Sequence, residues 1–193
     1  MSIDRKHFFD TVRPRLFHGS MKQSQVDGLN SILDIWDLVY GDNDQRWLAY
    51  CLATAQHETG ATMQPIEEWG KGKGHKYGGK FRMNGQPYFN TDNIFYGRGY
   101  VQLTWIENYE KAWSKLRVDF VSNPEMVMEP DIAARIMFEG MIDGWFTGRK
   151  LGDYIRNGTC DYLHARKIIN GMDKAELISG YAHAYADAIK EES

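Results

Sequence analysis

The stretch QRWLAYCLATAQHETG, residues 45–60, decides the fold of this chain. Its apolar residues recur at helical spacing, which predicts a helix with one face in a core. They are Trp47, Leu48, Cys51, Leu52 and Ala55. Glu58 continues this face at the last turn, and Gly60 is a residue type that commonly ends a helix. The sequence therefore predicts a carboxylate held at the end of a partly buried helix.

A second carboxylate, Glu67, follows nine positions later in the segment IEEW, residues 66–69. We expect Glu58 to be poorly solvated beside apolar residues and so to hold a proton, as a general acid must. Glu67 follows Pro65 and should lie closer to water, ionised. Two carboxylates in unlike environments suit glycosidic bond cleavage, because one protonates the leaving oxygen and the other activates water. The alternative is a surface glutamate beside an acidic loop.

Composition indicates a globular chain. The 193 residues are 42% hydrophobic and 13% aromatic, and the formal net charge is −3. A chain of this length buries roughly 70% of its unfolded surface without metal or disulfide staples. We expect a single domain over residues 1–193. The charge offers no basic footprint, so no nucleic-acid partner is predicted.

The two cysteines predict free thiols, because Cys51 lies in the helical stripe and Cys160 follows a turn at Asn157. Free thiols fit folding in a reducing cytosol. The first residues contain no apolar run long enough for a signal peptide or a membrane span. We therefore expect a cytoplasmic protein without stable membrane insertion, and export, if it occurs, must use another route.

No metal or cofactor is predicted. The histidines have no HExxH spacing, and no Cys-x-x-Cys pair occurs. The run GHKYGGKF, residues 74–81, nearly fits a phosphate-binding loop, but Phe81 stands where a hydroxyl should reach magnesium. The surrounding residues 70–90 are rich in glycine and lysine and predict a flexible basic loop or hairpin.

Helical periodicity accounts for most of the remaining chain. Residues 1–40 form a predicted helical scaffold, in which Pro14 should break or kink the first helix. Further helices are predicted from Pro130 to a stop at Gly148, over 151–155, over 162–169 and over 175–189.

The block FYGRGYVQLTW, residues 95–105, predicts a tight turn at its glycines and a short strand in which Val101 and Leu103 alternate with polar residues. Thr104 and Glu107 have the spacing of a helix capping box. The Thr104 hydroxyl could cap a helix and still hold a water molecule with its proton.

Two strings together resemble glycoside hydrolase family 19, the group of chitinases and phage endolysins. They are HETG at residues 57–60 and YGRGYVQLTW at residues 96–105, the latter followed by Asn108 and Tyr109. IING, residues 168–171, looks like the family's IINGG string. The likeness runs from about Leu48 to Tyr185, so residues 1–40 lie outside it.

The resemblance implies roles for particular residues. The family's general acid follows the histidine of the first string and maps to Glu58. The hydroxyl of the QL(S/T)W motif helps to place the attacking water and maps to Thr104. Other matching positions imply contacts with the sugar chain. These are His57, Tyr96, Gln102, Trp105, Asn108 and Asn170.

The position of the base differs from that in plant chitinases, in which the base comes later in the chain after the acid, inside a longer insertion. Here no acidic residue occurs between Trp69 and Thr91. Glu67 instead looks like the base of the phage endolysins, which cleave peptidoglycan, and Glu68 is a rival for the role. Glu107 and Met172 replace the tyrosine and glycine that are usual in chitinases.

We thus predict a mainly α, lysozyme-like α+β fold: a helical bundle with a small β-hairpin lobe flanking a substrate cleft. The predicted enzyme is a monomeric endolysin that hydrolyses the β-1,4 bonds of bacterial peptidoglycan with inversion. A chitinase and a non-catalytic module that binds cell-wall glycan are the alternatives.

Overall fold

The computed structural model describes residues 2–75, 77 and 95–191. The described part is mostly helical, as predicted. Its α-helices are α1 (Arg5–Leu16), α2 (Gln23–Ile35), α3 (Gln45–Glu58), α4 (Ile106–Leu116), α5 (Pro130–Asp143), α6 (Leu151–Tyr154) and α7 (Ala175–Ala188). A π-helical turn, Trp36–Tyr40, continues α2, and 3₁₀ turns occupy Pro124–Met128 and His164–Ile168.

The strands form two short antiparallel pairs. Strand β1 (Ile66–Glu67) pairs with β2 (Arg98–Gly99), with Glu67 opposite Arg98. Strand β3 (Ile155–Arg156) pairs with β4 (Thr159–Cys160). The pair β1–β2 is the predicted small hairpin lobe, so the mainly α class with a minor β element is confirmed.

The predicted strand over Val101 and Leu103 is wrong. Residues 100–102 form a turn, and Arg98 and Leu103 exchange backbone hydrogen bonds of 3.2 and 2.9 Å across it. Gln102 has a positive φ of 55°, which is incompatible with an extended strand. The alternating pattern reflects a tight turn with Leu103 buried against the core.

Two clusters of buried residues form the core. The larger cluster surrounds α3, whose residues Leu48 to Gln56 are all buried, and α3 packs mainly against α7. The smaller cluster joins α4 to the chain before it and includes Phe95, Leu103 and Tyr109. The larger cluster therefore carries the helix that ends at Glu58, whereas the smaller one adjoins the hairpin that carries Glu67.

Some helix ends follow the sequence signals and others do not. The side chain of Asp44 accepts a hydrogen bond from Arg46 N and caps α3, and Gly60 follows the helix with a φ of 58°. Pro14 does not break α1, because the helix continues past it to Leu16. Helix α5 ends at Gly144, one turn before the predicted Gly148.

Several sequence predictions concern residues that lie outside the described part. The basic loop of residues 70–90 is described only at 70–75 and 77, and most of the run 74–81 is likewise outside.

Cys51 and Cys160 are both free, the first buried and the second exposed, as predicted. No helix within residues 2–75, 77 and 95–191 combines the length and apolarity needed to cross a bilayer.

Candidate active site

Glu58 is the last residue of α3, and the backbone around it is fixed by Thr59. The Thr59 hydroxyl donates to Ala55 O at 2.8 Å and accepts from Met63 N at 3.2 Å. Thr59 is itself 3% exposed. Because this hydroxyl uses both its proton and a lone pair, the turn after the helix has little freedom, and the direction in which Glu58 leaves the helix is set by the backbone.

The connection between Glu58 and β1 is clamped against α2. Gln25 Nε2 donates to Ala61 O at 2.8 Å, and Gln64 Nε2 donates to Ser24 O at 2.6 Å. A Cβ atom at Gly28 would lie 1.7 Å from Met63 O, so only glycine permits this approach. Helix α2 therefore fixes the segment that leads from Glu58 to Glu67.

The Glu58 carboxylate has a buried cationic partner, which the sequence reasoning missed. Arg166 Nη1 donates to Glu58 Oε1 at 2.7 Å, and Arg166 Nε donates to Asp173 O at 3.1 Å. The Glu58 side chain is 19% exposed and that of Arg166 only 4%. The predicted low exposure of Glu58 agrees with this setting, but a guanidinium also reaches Glu58 from the 3₁₀ turn His164–Ile168.

Glu67 carries a charge that three neighbours stabilise. The Tyr96 hydroxyl donates to its Oε1 at 2.7 Å, Lys71 Nζ lies 3.0 Å from its Oε2, and Arg98 Nε lies 3.7 Å from its Oε1. The hydrogen bond from Tyr96 is the main reason why the pKa of Glu67 lies below its ordinary value, and Lys71 and Arg98 act in the same direction. The predicted ionised state of Glu67 agrees with this environment.

Glu68 contacts a different set of groups. Its Oε2 accepts from Gly97 N at 3.1 Å, and its Oε1 accepts from the Tyr77 hydroxyl at 3.1 Å. Its own backbone N–H donates to Gly97 O at 2.7 Å. The carboxylate of Glu68 thus ties the residue after β1 to the chain before β2, which is a structural task, whereas the described partners of the Glu67 carboxylate are side chains.

Gln102 and Thr104 lie in the turn beside the hairpin. Gln102 Nε2 donates to Ile66 O at 3.1 Å, and the Thr104 hydroxyl donates to Gln102 O at 2.8 Å. Asn108 Nδ2 donates in turn to Thr104 O at 2.9 Å. A chain of contacts therefore connects β1 to the start of α4 through three of the predicted site residues.

The predicted capping box at Thr104 is wrong. Helix α4 begins at Ile106, its N-cap position is Trp105, and among the described residues no side chain caps it. Trp105 has a positive φ of 73°, which turns the chain between Thr104 and the helix. The Thr104 hydroxyl is therefore too early in the chain to cap α4, and its proton goes to Gln102 O.

The remaining predicted site residues lie either beside the hairpin or near Glu58 and Arg166. The Tyr96 ring lies 3.7 Å below the Arg98 guanidinium carbon, and Trp105 is half-buried, with its ring edge-on to Tyr77 at 4.7 Å. His57 is half-buried in the last turn of α3. Asn170 is exposed, and its N–H donates to Arg166 O at 3.0 Å.

These contacts place the predicted residues in two groups. Glu67, Tyr96, Gln102, Thr104 and Asn108 are linked through the hairpin and its turn. The other group joins Glu58 at the end of α3 to Asn170 through Arg166. Trp105 borders the first group, and His57 precedes Glu58 in α3.

A match to a known protein family covers the residues of the smaller core cluster. The family model described as chitinase class I, of glycoside hydrolase family 19, matches residues 82–154. The match contains Tyr96, Gln102, Thr104, Trp105 and Asn108, and the two carboxylates precede it. A search of curated proteins finds no match.

Solved structures share the fold over nearly the whole chain. Chitinase C from Streptomyces griseus HUT6037 is 19% identical, with a TM-score of 0.56 over 96% of this chain and 74% of that one. A mutant of chitinase C is 18% identical, with a TM-score of 0.51 over 94% of this chain and 92% of that one. The segment match and the common fold confirm the predicted resemblance of this chain to glycoside hydrolase family 19.

Proposed function

We propose that the enzyme cleaves β-1,4 glycosidic bonds of bacterial peptidoglycan with inversion, using Glu58 as the general acid and Glu67 as the general base. The observation that carries this proposal is the unlike surroundings of the two carboxylates. Glu58 is mostly buried at a helix end and bound to one guanidinium, whereas the more open Glu67 is held ionised by Tyr96 and Lys71. Inverting hydrolysis requires one carboxyl group that donates a proton to the leaving oxygen and a second, ionised one that activates water.

Arg166 determines which oxygen of Glu58 can carry the proton. Its Nη1 donates to Oε1, so the proton of the acid form belongs on Oε2, because a proton on Oε1 would face another N–H. A protonated carboxyl group can still accept from Arg166 through Oε1. The acid would then offer Oε2–H to the glycosidic oxygen while its orientation is held by Arg166.

Glu67 would activate water on the opposite face of the sugar. Inverting enzymes keep the two carboxyl groups roughly 6.5–9.5 Å apart to leave room for that water. The Thr104 hydroxyl uses its proton on Gln102 O, which leaves its lone pairs to accept from water. Thr104 would therefore orient the attacking water by accepting a hydrogen bond from it, while Glu67 removes a proton.

Two features favour peptidoglycan as substrate. Glu67 follows Glu58 by only nine residues, and Met172 replaces the second glycine that follows the asparagine in chitinases. Chitin is the second candidate, because the solved structures that share the fold are chitinases. Offering both polymers to one preparation separates these candidates through the reducing ends released from each.

Mass spectrometry of the fragments from purified peptidoglycan would identify the bond. A muramic acid at the reducing end indicates a muramidase, and a glucosamine indicates a glucosaminidase. Glu58→Gln should release no fragments while still binding the glycan. If wild type and Glu58→Gln bind equally and neither releases reducing ends, the protein is a binding module and the proposal fails.

The proposal includes the setting in which the enzyme works. We propose one catalytic domain that acts as a monomer, with residues 1–40 as its scaffold. Helix α1 supports this role, because Phe8 and Val12 are fully buried in the larger core cluster. The protein would stay in the cytoplasm of a bacterial host until a separate membrane-permeabilising protein releases it to the wall.

A further inference from the structure

A surface pocket of about 470 Å³ opens beyond the IING segment. It is lined by Leu163, Met172, Lys174, Ala175, Glu176 and Leu177. Met172 is 41% exposed and Leu177 is 45% exposed, so the pocket presents apolar side chains to water. Covering such surface is favourable in proportion to its area, which makes the pocket a candidate for binding an apolar or mixed ligand.

The pocket is connected to the proposed acid through one side chain. Arg166 donates through Nη1 to Glu58 and through Nε to the carbonyl oxygen of Asp173. Asp173 lies between Met172 and Lys174, which both line the pocket. Because the guanidinium is planar and rigid, it fixes the pocket wall relative to the Glu58 carboxylate. The pocket wall at Asp173 therefore lies within the reach of one guanidinium group from Glu58.

The pocket also offers one charge of each sign. Lys174 and Glu176 are both exposed, and within the described residues Lys174 Nζ has no ion-pair partner. An apolar wall flanked by an ammonium and a carboxylate suits a short peptide that carries methyl groups, carboxylates and an amino group. Unsubstituted chitin has no such group, because its sugars bear only acetamido and hydroxyl substituents.

We propose that this pocket binds the lactyl-peptide substituent of a peptidoglycan sugar next to the cleaved bond. Leu177 and Met172 would cover the lactyl and alanyl methyl groups, and Lys174 would pair with a carboxylate of the peptide. The inference rests on the proposed function and adds a determinant of substrate choice to it.

The test compares two forms of one substrate. Purified peptidoglycan is divided, and an amidase removes the peptides from one half. For each enzyme the ratio of kcat/KM on intact strands to kcat/KM on stripped strands is measured. Wild type should prefer intact strands, and Leu177→Ala and Lys174→Gln should each lower the ratio about tenfold or more, as for the loss of a fitted group from a pocket.

Leu38→Ala is the matched control and should leave the ratio unchanged, because Leu38 is 80% exposed in the turn Trp36–Tyr40, which does not line the pocket. Thermal melting checks that each variant is folded. Equal activity of wild type on both forms, or pocket variants with an unchanged ratio, overturns the inference while the proposed function stands. Wild type that cleaves neither form overturns the proposed function as well.

A binding measurement gives an independent answer if a pocket variant does not fold. Glu58→Gln is titrated with a disaccharide that carries the peptide and with the same disaccharide without it. The peptide should tighten binding about tenfold or more, and free peptide should broaden or shift the NMR signals of Leu177 and Met172 methyl groups. Equal affinity for the two disaccharides contradicts the inference.

Discussion

Arg166 Nη1 lies 2.7 Å from Glu58 Oε1, although the two residues are 108 positions apart in the chain. The same guanidinium holds Asp173 O, so one buried side chain connects the proposed acid to the segment that follows IING. Arg166 is therefore a positioning residue: it acts on the reaction by holding Glu58, and its effect should be visible in turnover more than in substrate binding.

Replacing Arg166 with lysine should lower kcat about a hundredfold, because an ammonium cannot hold Glu58 and Asp173 O in the same fixed geometry, and misplacement of about 1 Å can cost this much. KM should change little. Arg149→Lys is the control, because Arg149 is exposed and contacts other residues through its backbone N–H. A loss confined to KM, or a loss equal to that of the control, would contradict the positioning role.

Tyr96→Phe should shift the acidic limb of the pH profile of kcat/KM. The Tyr96 hydroxyl is the main cause of the lowered pKa of Glu67, so its removal raises that pKa towards the ordinary value. Because the base acts when ionised, activity should then be lost at a higher pH on acidification. The profile of kcat/KM reports groups of the free enzyme, so it is the measurement of choice.

Tyr77→Phe is the matched control for the choice between the two adjacent glutamates. The Tyr77 hydroxyl donates to Glu68 Oε1 at 3.1 Å, as the Tyr96 hydroxyl donates to Glu67 Oε1 at 2.7 Å. If Glu67 is the base, Tyr77→Phe should leave the acidic limb in place. A shift in Tyr77→Phe together with an unchanged Tyr96→Phe profile would assign the base to Glu68.

Thr104→Val should lower kcat by about 10²- to 10³-fold, the range for one positioning group at a reaction centre. Thr104→Ser should keep most of the activity, because it retains the hydroxyl. Since Thr104 does not cap α4, Thr104→Val should lose only the bond to Gln102 O, about 0.5–1.5 kcal/mol of unfolding free energy. Activity in Thr104→Val equal to that of Thr104→Ser would exclude a role for the hydroxyl.

Gly28→Ala should destabilise the fold by about 1–3 kcal/mol or more, because the new Cβ would collide with Met63 O. Part of the activity should be lost as well, since the collision displaces the connection between Glu58 and Glu67. Gly180→Ala is the control: its site in α7 is open, so helix propensity should stabilise the protein by about 0.5–1 kcal/mol. Chemical denaturation measures the free energy of unfolding of both variants. Equal changes in Gly28→Ala and Gly180→Ala would contradict the close packing of α2 against the segment between Glu58 and Glu67.

Most of the helices, though not α4, could be predicted from the sequence because they carry local signals. The apolar stripe of α3, the Asp44 cap and Gly60 are local features, and local features also gave the approximate ends of α7. The ion pair of Glu58 could not be predicted in this way. Arg166 lies in a different element, and nothing in the spacing of residues reveals which buried cation reaches a given carboxylate.

The segment after β2 is a second region in which local sequence patterns mispredict the structure. The alternation of Val101 with Gln102 and Leu103 indicated a strand, and Thr104 with Glu107 indicated a cap. Positive φ angles at Gln102 and Trp105 overrule both local patterns. Neither residue type favours that conformation, so the turn is imposed by tertiary contacts such as the bond from Gln102 to Ile66 O.

The stereochemistry of the first product tests the central claim most directly. Proton NMR of a β-1,4 peptidoglycan oligomer during hydrolysis distinguishes the two anomers of the newly formed reducing end before they equilibrate. A general acid at Glu58 and a water-activating base at Glu67 predict that the α-anomer appears first. A β-anomer that appears first would show retention and contradict the assigned roles of both carboxylates.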